Sequence, residues 1–78
     1  MTVTDVQLQV DPGLESQVRA EHEHASWFEL ASATAKAHHE YDEVRRQHDD
    51  AATARARGRL HVLELMLGAE TARLHPHA

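Results

Sequence analysis

From Leu14 to Arg57 the chain contains neither proline nor glycine, and alanine recurs throughout. With no helix breaker and the best helix former abundant, this stretch is expected to be mostly α-helical. The apolar spacing agrees. Trp27, Leu30, Thr34, Ala37, Tyr41, Val44, His48 and Ala51 follow one another at alternating threes and fours, the seam of a helix lying against another. A second stripe runs through Leu14, Val18, Ala25, Phe28 and Ala35. Two breaks are written into the run. Ser26 and Glu29 have the spacing of a capping box, and Asp49-Asp50 can cap a further helix. Neither break carries glycine or proline, so an unbroken helix of roughly 65 Å, at 1.5 Å per residue, is the alternative.

The flanks differ from this middle. Val6, Leu8 and Val10 alternate with Asp5, Gln7 and Gln9, which predicts a short strand or an extended arm over residues 1–11. Asp11 can cap a helix whose first residue is Pro12. A lone strand leaves its backbone groups unpaired, so it requires a partner strand, which a second copy could supply. Gly58 is the clearest punctuation beyond the middle. After it, Leu60, Leu63, Leu67 and Leu74 keep one helical face while Val62, Leu65, Met66 and Ala69 fill others. A segment apolar on nearly every side must be buried on most of them, and in so short a chain that implies an interface. A strand over Arg59–Leu67 is the rival, though leucine, Glu64 and Met66 favour a helix.

Size sharpens the point. Seventy-eight residues make one domain at most, with a small core unless something is added. There is no cysteine, so neither a disulfide nor a thiolate metal site can be that addition. Trp27, Phe28 and Tyr41 are the only aromatic rings of their kind. Oligomerisation, or docking into a larger assembly, is the route that remains. The expected organisation is an arm over 1–11, a helical domain over 12–75 with candidate breaks near 26, 49 and 58, and a tail over 76–78. In fold class this is mostly α, long helices in a hairpin or coiled-coil-like arrangement, self-associating.

Charge is unevenly placed. Residues 1–26 hold five acids against Arg19, a net of −4, and residues 27–50 hold six acids against three bases, a net of −3. Residues 51–78 set Arg55, Arg57, Arg59 and Arg73 against Glu64 and Glu70, a net of +2. An acidic front and a basic rear suit contact between chains. The N-terminus has no basic region followed by an apolar run, and the longest unbroken apolar run, Leu65-Met66-Leu67, is far short of a membrane span. An intracellular setting is expected, or a virion if the chain is phage-encoded.

Eight histidines raise the question of metal. Glu21 and His24, His38 and Asp42, His39 and Glu43 form helical pairs, and His75 and His77 lie in the tail. A zinc or di-iron site needs three or four such groups converging, and these pairs fall on different turns and faces. They read as solvated histidines, with no metal and no cofactor. The serines lie on helical stretches without glycine-rich turns, and no phosphate-cradling loop is present, so no enzyme is expected. Arg55, Arg57 and Arg59 spread around a helix and read as a solvated face. Phe28 and Tyr41 read as core aromatics, Trp27 as the better candidate for a contact across chains. The predicted partner interface comprises Trp27, Leu30, Tyr41, Val44, Leu60, Leu63, Leu67 and Leu74.

One resemblance points elsewhere. Val6-x-Leu8-x-Val10-Asp11-Pro12, then Leu14-x-x-x-Val18-Arg19, resembles the opening of ribbon-helix-helix repressors and antitoxins over roughly the first 45 residues. The resemblance implies a DNA-binding dimer in which two chains pair strands, with Asp5, Gln7 and Gln9 facing the major groove, where glutamine can pair with adenine. It also implies that a C-terminal extension binds a toxin. The chain departs from the family in lacking a glycine turn between the two helices, and its front carries −4 where phosphates would lie. The reading adopted is therefore a non-catalytic structural or interaction protein, such as a phage structural component or a small adaptor or inhibitor. Its partners would be itself and another protein rather than nucleic acid or membrane.

Overall fold

A computed structural model describes residues 10–75 and holds three α-helices: α1 (Pro12–Glu21), α2 (Trp27–Arg46) and α3 (Asp50–Leu74). Each helix starts where a capping side chain stands. Asp11 Oδ2 accepts from the Leu14 amide at 3.1 Å, with Pro12 as the first helical residue. At Ser26 the capping box is complete: Ser26 Oγ accepts from the Glu29 amide at 3.1 Å, and Glu29 Oε1 accepts from the Ser26 amide at 2.7 Å. Asp49 Oδ1 accepts from the Ala52 amide at 3.0 Å and opens α3.

The helices stop without glycine. His22 follows α1, its ring Nδ1 donating to the Val18 carbonyl at 2.9 Å. Gln47 closes α2, and His48 then turns the chain with a left-handed φ of 60°. Both candidate breaks near 26 and 49 are therefore used, and the unbroken helix is not formed. Gly58 makes no break: it lies inside α3, as does all of Arg59–Leu67. A Cβ at Gly58 would sit 3.1 Å from Leu14 Cδ2 and 3.5 Å from Val10 Cγ1, so its role is close approach by the chain entering α1. The strand or arm expected over 1–11 lies outside the described residues except for Val10 and Asp11; Val10 is half-buried against the core.

α2 and α3 form an antiparallel hairpin closed by the turn at 47–49, and α1 lies on a second flank of α3. The core sits where the three meet: Val18 from α1, Leu30 and Ala37 from α2, Leu60, Val62 and Leu63 from α3. Tyr41 and Leu67 pack against it, half-buried. Val18, Val62 and Leu63 are fully buried, and each such burial contributes roughly 1.5–3 kcal/mol. Leu60, Val62 and Leu63 of α3 are thus covered within one chain, where α1 and α2 pack on α3, while Leu65 stays exposed. A second chain is not needed to bury Leu60 or Leu63, which is where the expected interface and the observed core part company. Glu21 Oε1 lies 3.0 Å from Arg59 Nη1 and ties the end of α1 to α3. No helix among the described residues is long and apolar enough to cross a membrane.

Candidate interaction surface

The hairpin has a register, and the register leaves one end open. Trp27, the first residue of α2, donates its indole Nε1–H to Thr71 Oγ1 at 2.8 Å, and the Thr71 hydroxyl donates to the Leu67 carbonyl at 2.9 Å. Because the capping box fixes where α2 begins, no earlier turn of α2 exists to cover the end of α3 beyond Thr71. Leu74, nearly one turn further on, stands 47% exposed. Phe28 is 79% exposed, and its ring meets that of Trp27 edge-on, centroids 5.3 Å apart. Trp27, Phe28, Leu74 and His75 line a shallow cavity of about 260 Å³.

The carboxylates of Glu29 and Glu70 beside this surface are engaged within the chain. Glu29 is engaged in the capping box. Arg73 grips Glu70 with two hydrogen bonds, at 3.0 and 2.6 Å. That grip holds the Glu70 carboxyl below its ordinary value and raises Arg73, in each case chiefly through the hydrogen bond between them. An apolar centre with a polar rim is the usual build of a protein–protein contact, and large aromatics dominate the energy of such contacts.

The predicted interface residues divide. Leu30, Leu60 and Leu63 are inside the fold, and Tyr41 and Leu67 flank them. Val44 is half-buried in a cleft shared by all three helices, together with Leu14, Glu40 and Arg55. Trp27 and Leu74 lie at the open end. Phe28, read from sequence as core, is instead the most exposed large apolar side chain among the described residues. Its stripe fails because it runs across the break at 22–26: Leu14 and Val18 lie on α1, Phe28 on the separately oriented α2. The signal that could have found Phe28 is the capping box: a residue two places after the cap sits in a first turn that is often solvent-facing.

The histidine pairs do not gather. His38 lies 3.5 Å from Asp42 and His39 lies 3.9 Å from Glu43, all on the outside of α2, while Glu21 turns to Arg59 rather than towards His24. Among the described residues no three histidine or carboxylate side chains stand close enough to hold a metal ion; His77 lies outside them. Arg57 projects from α3 into solvent. Comparison with family models, with curated proteins and with solved structures gave no match.

Proposed function

We propose that this chain is a non-catalytic association protein, an adaptor or structural component that joins other chains through the open end of its hairpin. The observation that carries the reading is the exposure of Phe28 beside Trp27 and Leu74. A small monomer gains nothing by holding a phenylalanine in water next to a tryptophan, whereas an interface gains an anchor. The rest of the molecule supports the rigidity such an anchor needs: three capped helices, and a core that closes within the chain. In cells that make the protein, Phe28 replaced by a photoreactive phenylalanine analogue should cross-link to another polypeptide on irradiation. The same analogue at Arg46, at the turn end, should not. Absence of adducts from position 28, or equal yields from both positions, would contradict the proposal.

A further inference from the structure

We infer that the occupant of the Trp27–Phe28–Leu74 surface is a second copy of this chain, related by a two-fold axis through the patch. This rests on the association reading above and adds the identity of the partner.

Self-complementarity is the first argument. A two-fold contact sets one patch on the same patch of the neighbour, so the patch must carry both a projection and a recess. It does. Phe28 projects, 79% exposed, and its flank forms one wall of the shallow cavity of about 260 Å³ that Trp27, Leu74 and His75 complete. A two-fold axis between them lays each Phe28 over the other copy's recess.

Charge supplies the second. The chain carries a net −5, so most approaches of one copy to another are repulsive. At the open end the carboxylates of Glu29 and Glu70 are already engaged within the chain. The start of α2 and the end of α3 also meet there. A helix carries about half a positive charge at its start and half a negative charge at its end. Setting Phe28 of one copy over Leu74 of the other brings the positive end of α2 to the negative end of α3, twice.

Area sets the strength. With side chains of this kind offering ~150–250 Å² each, Phe28, Leu74 and the outer edge of Trp27 hide on the order of 300 Å² per copy, against ~800 Å² per partner in a standard stable interface. The dimer is therefore weak and concentration-dependent.

Trp27 is the only tryptophan and lies in the contact, so its emission reports occupancy locally. The test is sedimentation of the full chain from ~10 µM to ~1 mM, a range that brackets weak association, with Trp27 emission recorded alongside. Mass should climb from 8.8 kDa towards twice that value, with a blue shift of the emission in step. Phe28→Ser should stay at the monomer mass throughout and keep its helical circular dichroism, because so exposed a ring supports little of the fold. Leu65→Ser, also an exposed leucine but outside the patch, should associate like the parent chain. A parent that stays monomeric, a Phe28→Ser variant that still dimerises, or association without a shift in Trp27 emission would each overturn the inference. If the parent is monomeric yet position 28 cross-links in cells to a chain of another mass, the second copy is excluded and the association reading stands. If position 28 cross-links to nothing, both fall.

Discussion

Leu63 and Leu74 lie about three turns apart on the same helix, yet one is fully buried and the other is 47% exposed. Leu63 has α1 and α2 around it. Leu74 has only the first residue of α2, because the capping box at Ser26 ends that helix opposite Thr71. The apolar surface at the open end is therefore not the remainder of too small a core. The core closes where three helices overlap; Phe28 and Leu74 are exposed where α3 outruns its partner, and Leu65 alone among the other large apolar side chains of the described residues stands exposed, by itself, on the outer face of α3. The turn end of the hairpin shows the contrast again: Arg45 and Arg46 pair with Asp42 and Glu43, and the turn at 47–49 is polar and exposed throughout.

The largest expected effect is on the buried side of the comparison. Leu63→Ala removes a fully buried side chain and should cost about 2–5 kcal/mol, most or all of the stability of so small a domain. Loss of helical circular dichroism at room temperature would register it. Phe28→Ser, on the exposed side, should change stability by no more than ~0.5 kcal/mol.

The two helix-interior glycines sharpen the same contrast. Gly58→Val would drive a branched side chain into Leu14 and Val10 and should destabilise by roughly 1–3 kcal/mol. Gly68→Ala meets nothing within 4 Å and should stabilise by up to about 1 kcal/mol through helix propensity alone. Denaturant midpoints moving in opposite directions would confirm which flank of α3 is covered. At the turn, His48 holds a φ of 60°, and His48→Gly should relieve about 1 kcal/mol of left-handed strain, read as a raised melting temperature.

The smallest effect is electrostatic. Arg59, hydrogen-bonded to Glu21, holds that carboxyl below its ordinary value. A carboxylate whose pKa is depressed on folding contributes stability above its unfolded pKa and loses it as pH falls through the folded value. Stability of the parent should therefore drop on the acid side more than that of Glu21→Gln, whose profile should be flatter there. The pair is exposed, and the difference should be modest. Identical acid limbs for the two proteins would remove Glu21 as a tether of α1.

Much of the fold was legible. The capping signals at Asp11, Ser26 and Asp49 are local, three-residue chemistry, and all three start helices. Helix ends were harder to read, because His48 takes the left-handed φ that glycine usually supplies and His22 closes α1 at an ordinary negative φ, and neither carries a distinctive sequence signal. Gly58 misled for a physical reason: a glycine can mark a stop or a close approach, and only Leu14, over forty residues away, decides between them. The apolar character of Leu60–Leu67 was plain, but whether α1 or a second chain covers it depends on how a short helix folds back. Phe28 shares its period with Val18 along the chain and not in space. Register between α2 and α3, fixed by Trp27 and Thr71, is a tertiary fact that spacing within one segment does not contain.

A fold that closes within one chain, with the open end as added surface, can be told from an obligate assembly by urea unfolding of the parent and of Phe28→Ser, at ~5 µM and again at ~500 µM, since a partner bound only by the folded state raises apparent stability with concentration. At the low concentration the two proteins should unfold cooperatively with the same midpoint; at the high one only the parent's midpoint should rise. A Phe28→Ser chain that is already unfolded at ~5 µM, or a parent that loses its helices on dilution to that level, would show instead that the open end belongs to the core of an obligate assembly and that one chain does not close the fold.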